Sequence, residues 1–290
     1  MKHLIGGQAV IEGVMIRGGD YYAVSVRRND GIIETLDKRI NNGSFIKFIK
    51  KIPFIRGLYV LFETLKIGIE TLNYSANAAS AENEKISGKE LFFSMIIAFG
   101  AAIIFFVILP YYITLQFDIK NSFVFNLVDG LIKIIFLTAY IFGISFFKDI
   151  KRVFQYHGAE HKVVNAYEKG EEINIDNVKK YKTLHLRCGT NFLFLVLFIS
   201  IFFFVMIPDE YATLVKIALR IGLIPIIAGT AYEIIRLFNK FPDNVLLKTL
   251  VFPGLMLQYI TTGEPDDSQL EVAMRSASRI LDILNNEEKK

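Results

Sequence analysis

The sequence has one cysteine, four histidines and no tryptophan among its 290 residues. The single cysteine, Cys188, excludes an internal disulfide, so it is either a free thiol or a metal ligand. The chain also lacks a P-loop, a dinucleotide fingerprint and any DNA- or RNA-binding motif, which argues against nucleotide and nucleic-acid binding. The first ten residues lack the apolar core of a secretion signal.

Apolar residues, in contrast, are abundant. They make up 52% of the chain, and 26 residues are phenylalanine. Runs of about 20 apolar residues are long enough to cross the hydrocarbon core of a bilayer. The runs predict four membrane spans: Leu91–Leu115, Phe123–Phe147, Phe192–Ile207 and Ile217–Phe238.

The distribution of basic residues predicts the orientation, since Lys and Arg near span ends are retained in the cytosol. Residues 1–90, 148–190 and 236–290 carry 13, 9 and 7 of them, whereas the connections 116–122 and 208–211 carry one and none. We therefore expect a multi-pass protein of the inner (cell) membrane with both termini in the cytoplasm. The net charge of +4 then reflects this topology and contact with anionic lipid.

The predicted fold is mostly α: a polytopic helical membrane protein with about four spans, a small N-terminal cytosolic β-element and cytosolic amphipathic helices. The expected units are 1–90 (β-hairpin and amphipathic helix), 91–147 (two spans), 148–190 (cytosolic loop), 191–238 (two spans) and 239–290 (interfacial helices and a C-terminal helix).

Within the N-terminal unit, Tyr21–Arg28 and Ile32–Asp37 have the pattern of two strands joined by a tight Asn-Asp-Gly turn. After Pro53, apolar residues at helical spacing predict an amphipathic helix over Phe54–Tyr74. Residues 75–90 are typical of a linker or a polar helix end.

In the C-terminal unit, Val245–Ile260 is apolar but is interrupted by Pro253-Gly254, which predicts a pair of short interfacial or re-entrant helices. The acidic pair Asp266-Asp267 then has the character of a helix N-cap, and the residues after it form an amphipathic pattern.

A metal site is indicated by Tyr156-His157-Gly158-Ala159-Glu160-His161-Lys162. Histidines four apart on a helix share one face and can hold one ion. Glu160 completes a His-x-x-Glu-His pattern, in which the carboxylate acts as general base beside zinc. The alternative interpretation is a polar loop at the membrane surface.

His185 and Cys188 lie in the same polar segment and extend this set to four ligands for zinc or a similar divalent ion. If all four bind, the site is closed and structural; if three bind, a position is open for chemistry. Glu233, near the cytosolic end of the fourth predicted span, is an alternative third ligand.

Other charged residues in apolar surroundings are also candidates. Asp129 and Lys133, four apart, have the pattern of a structural ion pair, and the spacing of Glu233 and Arg236 predicts another pair, on the side of the histidines. The N-terminal segment has five glycines in 14 residues, which permit close approach of a chain segment or a ligand. Its two charged residues, Glu12 and Arg17, are either structural or part of the same cytosolic site.

Five long segments resemble, in order, the signature blocks of the YqhQ-like bacterial membrane proteins: "GGQAVIEGVMIRGG", "YHGAEHKVVNAYE", "LHLRCGTNFLF", "AGTAYEIIRL" and "TTGEPDDSQLEVA". The resemblance covers about residues 5–275 and implies a metal-dependent enzyme, the label this family commonly carries. Carried over by position, it points to Gln8, Glu12, Arg17, His157, Glu160, His161, His185, Arg187, Cys188, Glu233, Arg236, Glu264, Asp266 and Asp267.

The leading hypothesis is therefore a metal-dependent hydrolase at the cytosolic face, with Glu160 as general base. A membrane scaffold or assembly factor, with a structural metal or none, is the alternative, and a transporter ranks third. The substrate stays open between a peptide, a lipid-linked group and a small molecule, and a homo-oligomer also stays open.

Overall fold

A computed structural model of the chain describes residues 3–80, 88–208, 210–241 and 244–288. It is mostly helical, with one small sheet near the N-terminus, as the sequence predicts. Of the predicted linker over residues 75–90, residues 81–87 lie outside the described part.

The sheet is an antiparallel meander in the order β1-β2-β3-β4. Its strands are Ile5–Val10 (β1), Gly13–Gly18 (β2), Tyr21–Arg27 (β3) and Ile33–Arg39 (β4). The predicted hairpin is confirmed as β3 and β4. The glycine-rich segment, for which the pattern predicts no strand, forms β1 and β2. The core residues of β2 are buried on both faces, so they lack the apolar–polar alternation that marks a half-buried strand.

The helices follow in chain order and carry the rest of the fold. Their bounds are Ser44–Ile49 (α1), Ile55–Ala79 (α2), Gly88–Ile103 (α3), Leu109–Leu115 (α4), Ser122–Ile144 (α5), Lys148–Lys169 (α6), Ile175–Lys179 (α7), Gly189–Val205 (α8), Thr213–Lys240 (α9), Val245–Thr261 (α10) and Asp267–Glu288 (α11). A π-helical turn, Ile104–Ile108, joins α3 to α4.

Helices cover both faces of the sheet. On one face, α11 and α6 pack against the strands around a core that includes Ile16, Tyr156 and Ile280. On the other face, Ile67 of α2 packs with Met15 and neighbouring strand residues. Helices α2 and α11 form where the amphipathic patterns predict helices. The apolar face of α11 covers the sheet. Most of the large apolar side chains of α2 are exposed instead, among them Leu58, Phe62, Leu65 and Leu72.

The remaining helices form an apolar bundle. Phe93–Leu115, α5 and Thr213–Phe238 of α9 are long and apolar enough to cross a membrane. The third predicted span, Phe192–Ile207, corresponds to α8, an apolar helix of 17 residues. The predicted pair of short helices after residue 244 is wrong: α10 continues through Pro253 as one helix. It packs against α8, where Gly254 contacts Asn191 closely.

Candidate metal centre

Three elements meet where the bundle joins the sheet layer. Helix α6 continues from the end of α5 and carries His157, Glu160 and His161. The segment 180–188 returns to the bundle and ends at Cys188, which caps the N-terminus of α8. The end of α10 reaches the same point through Thr261. The site therefore depends on contacts between distant parts of the sequence.

Three potential metal ligands come together here. One ligand atom from each of His157, His161 and Cys188 lies within 4.8 Å of the others. His157 Nε2 and Cys188 Sγ are 3.2 Å apart. Two ligands of one tetrahedral zinc ion are about 3.5 Å apart, so this pair already has a suitable spacing.

Main-chain carbonyls orient both imidazoles. His157 Nδ1–H donates to the carbonyl oxygen of Thr261 at 2.9 Å, and His161 Nδ1–H donates to the carbonyl oxygen of Thr183. A carbonyl oxygen can only accept a hydrogen bond, so Nδ1 of each imidazole must carry the hydrogen. In the neutral ring, Nε2 then keeps its lone pair. Metal-binding histidines characteristically have this arrangement, in which the second nitrogen is fixed by an outer hydrogen bond. The donor set therefore fits a borderline-soft divalent ion.

Buried amide side chains hold the segment 180–188 in place. Asn165, Asn191 and Gln258 each donate hydrogen bonds to its main-chain carbonyls, and Gln258 also accepts from the His185 N–H. The sequence reasoning missed all three. A usable signal exists for Gln258, because an amide in the apolar run Val245–Ile260 must find hydrogen-bond partners when buried.

Two glycines permit the close packing around the histidines. A Cβ on Gly158 would lie 2.0 Å from the carbonyl oxygen of Gly263, so the end of α10 can approach α6 only at a glycine. A Cβ on Gly7 would lie 2.2 Å from the Met15 carbonyl oxygen and 3.0 Å from Glu160 Cγ. The N-terminal glycines are expected to allow close approach of another segment. At Gly7 the segments that approach closely are strand β2 and the side chain of Glu160.

Glu160 is the carboxylate of the site. Its side chain is almost fully buried, and Oε2 lies 3.6 Å from His161 Nε2. Burial raises the pKa of Glu160, against the opposing effect of His157 and His185. Burial lowers the pKa of His161, which favours the neutral imidazole that a metal requires.

A pocket of about 600 Å³ opens beside these side chains. His157, Glu160, His161, His185 and Cys188 all line it, and strand β1 forms another part of its wall. Its other polar lining residues are Gln8, Arg17, Asp20, Lys50, Thr64, Arg187 and Tyr232. The site thus faces a space in which a small molecule or a chain end can be placed.

His185 lies beside the three-ligand group rather than in it. Its ring centre is 5.5 Å from that of His161, and its Nε2 is 3.4 Å from Glu168 Oε1. Arg187 also contacts Glu168. The four-ligand arrangement considered from the sequence is therefore not present among the described residues, and three donors remain.

The other candidate charges have structural partners. Glu12 accepts from Arg152 and from the Tyr156 hydroxyl, which fastens the β1–β2 turn to α6. Arg17 donates to Glu63 at 2.5 Å, although Arg17 also lines the pocket.

Glu233 accepts from both Arg56 and the Phe54 N–H, so it connects α9 to α2. It is absent from the three-ligand group and from the lining of the pocket. Its hydrogen-bonded partner is Arg56 rather than the predicted Arg236. Catalytic roles for Glu12, Arg17, Glu233 and Arg236 stay predictions without support from this geometry.

The acidic residues near the C-terminus have structural contacts too. Asp266 and Gln269 form a reciprocal capping box at the start of α11. Glu264 pairs with Lys162, and Asp267 pairs with Lys179.

Comparisons with known proteins show a family but no activity. The family described as a protein of unknown function, DUF1385, matches residues 52–283. The uncharacterized protein YqhQ of Bacillus subtilis (strain 168) is 35% identical over 95% of this chain and 92% of its own length. No solved structure matches the chain.

Proposed function

The chain belongs to the DUF1385 family, whose function is unknown, and we propose that it is a membrane-embedded, metal-dependent hydrolase. In this proposal His157, His161 and Cys188 hold a zinc-like divalent ion, and Glu160 is the general base. The observation that carries it is the presence of three converging ligand atoms, two of them fixed by carbonyls, at the wall of a pocket.

The number of donors supports an open rather than a closed site. Structural zinc has four protein ligands, whereas catalytic zinc has three and a position for substrate. When bound, the ion would supply Lewis acidity toward a substrate oxygen. Glu160 lines the same pocket, and its raised pKa suits a group that takes up a proton near neutral pH.

The proposed orientation places this centre at the cytosolic face. Helix α8 begins at the metal centre, and its Phe204 packs against Lys133 and Arg220 at the opposite end of the bundle. It therefore extends over the same depth as α5, and 17 residues span about 26 Å, which is near the lower limit for crossing a bilayer. If α8 also crosses the membrane, as the third of four spans, the basic residues around the centre lie in the cytosol, as the positive-inside rule requires.

A second candidate function is a cysteine hydrolase. Cys188 Sγ lies 3.2 Å from His157 Nε2, at the N-terminus of α8, which is the arrangement of a thiol nucleophile and its base. The second imidazole favours a metal instead, because a nucleophilic pair has no use for the Nε2 of His161 near the same sulfur.

The test is metal analysis of the full chain purified in detergent, combined with assays on ester, peptide and phosphoester substrates. We expect about one zinc-class ion per chain, its loss in His157→Ala and His161→Ala, and its retention in Glu160→Gln together with loss of hydrolysis. Glu168→Gln is the matched control, because Glu168 contacts His185 rather than the three ligands.

Three results would contradict the proposal. A folded protein without transition metal whose hydrolysis depends on Cys188 indicates the cysteine hydrolase. A metal whose removal unfolds the protein, in a chain where Glu160→Gln changes nothing, indicates a structural site in a scaffold. Hydrolysis that persists after removal of the metal and in Cys188→Ala shows that this site does not catalyse the reaction.

A further inference from the structure

A group of buried charges lies at the end of the bundle away from the metal centre. Asp129 and Lys133 occupy the first half of α5, and Arg220 lies near the start of α9. All three side chains are almost fully buried. Asp129 is 15 residues before the end of α5 at Ile144, or about 22 Å along the helix axis, so this group is distinct from the metal centre.

The group has more positive than negative charge. Both Lys133 Nζ, at 2.6 Å, and Arg220, at 2.5 Å, donate to the same oxygen of Asp129, Oδ2. One carboxylate thus faces two cations, and removal of an uncompensated charge from water is costly in a bilayer. The remaining neighbours of the Arg220 guanidinium are Asn126 Oδ1, at 2.6 Å, and the rings of Tyr111, Phe125 and Phe204.

Arg220 is also short of acceptors. A guanidinium has five N–H groups, and Nε has no hydrogen-bond partner in the part of the chain that the structure describes. Asp129 Oδ1 has no hydrogen-bond partner there either. Because buried polar groups are normally paired, Arg220 Nε is a donor that a further acceptor can use.

Arg220 is one of the residues that line a pocket of about 310 Å³. Arg220, Lys216 and Lys120 line it together with Asn126, and none of its described lining residues is acidic. Apolar side chains, among them Leu115 and Phe125, form the rest of the wall. A cavity with this lining is suited to an oxyanion attached to, or surrounded by, apolar groups.

We infer that this pocket binds a phosphate group, held by Arg220 and Lys216 at the end of the bundle opposite the metal centre. Arg and Lys are the side chains that recognise phosphate, as bidentate and point-charge donors respectively. The bound anion supplies the negative charge that Asp129 alone does not provide for two buried cations. The chemistry is the same for a free phosphate and for a lipid headgroup.

The experiment uses the full chain in phosphatidylcholine nanodiscs, titrated with inorganic phosphate in a calorimeter. A parallel sample contains phosphatidylglycerol, and the lipid retained after detergent washing is measured by mass spectrometry. Arg220→Gln and Lys216→Gln are compared with Lys180→Gln. Lys180 is an exposed residue at the end of α7, far along the chain from the pocket. Circular dichroism verifies that each variant is folded. If Arg220→Gln does not fold, the comparison rests on Lys216→Gln.

Either of two results supports the inference. Phosphate affinity that falls by about tenfold in Lys216→Gln but not in Lys180→Gln indicates a free oxyanion. Selective retention of phosphatidylglycerol that is lost in Lys216→Gln indicates a lipid headgroup. The inference is overturned if the folded wild-type protein binds neither, or if Lys216→Gln binds both as the wild type does.

Discussion

The two ends of the helical bundle bring polar groups together in opposite ways. At one end, His157, His161 and Cys188 direct lone pairs toward one another. At the other, Lys133 and Arg220 both direct protons toward Asp129. The first end offers groups that bind a cation and the second offers groups that bind an anion, so the two proposals assign ligands of opposite charge to the two ends.

The supports of the two ends also differ. Neutral groups fix the metal centre, since carbonyls orient both imidazoles and three amides hold the segment that carries Cys188. The opposite end depends on ionic contacts among buried side chains. Removing Asp129 therefore leaves two buried cations without the carboxylate that they share.

The largest expected effect comes from Asp129→Asn. Loss of the carboxylate leaves Lys133 and Arg220 close together without a counter-charge, and breaking a buried ion pair costs about 3–5 kcal/mol of unfolding free energy. Denaturant unfolding in detergent micelles measures it. Asp118→Asn is the control, because Asp118 is exposed and its positive φ of 46° suits Asn. Equal stability of the two variants would contradict the structural role of Asp129.

Added zinc should raise the unfolding free energy through the metal centre alone. At about 100 times its dissociation constant, an ion that binds the folded state alone raises the unfolding free energy by about 2.7 kcal/mol. We expect this gain in the wild type and in Lys133→Met, which alters the opposite end. It should be absent in His161→Ala. A gain of the same size in His161→Ala would show that the ion binds elsewhere.

Local patterns in the sequence predict the metal ligands, but they do not predict the groups that orient those ligands. The four-residue spacing of His157 and His161 places both on one face of a helix wherever that helix lies. Cys188 is recognisable because it is the single cysteine, in the same polar segment. The carbonyls of Thr183 and Thr261, which orient the imidazoles, carry no side-chain signature, so no pattern could identify them.

Pairing between distant segments is also beyond a local pattern. Glu233 and Arg236 are three apart on α9, and this spacing predicts a pair, yet the hydrogen bonds of Glu233 come from Arg56 and Phe54. Strand β2 has no recognisable strand pattern for a related reason. Helices cover both faces of the sheet, and a strand buried on both sides does not alternate.

The smallest effect is expected for Glu12→Gln, which tests whether the turn between β1 and β2 belongs to the metal centre. Glu12 pairs with Arg152, a half-exposed side chain, and exposed ion pairs contribute at most about 1 kcal/mol. The loss of unfolding free energy should thus resemble that of Glu271→Gln, which removes the exposed pair with Arg27. Zinc affinity should be unchanged, because Glu12 contacts α6 through Arg152 and Tyr156 rather than through a ligand. A clear fall in zinc affinity or hydrolysis at unchanged stability would instead assign Glu12 to the centre, and the neutral groups would no longer suffice to explain its geometry.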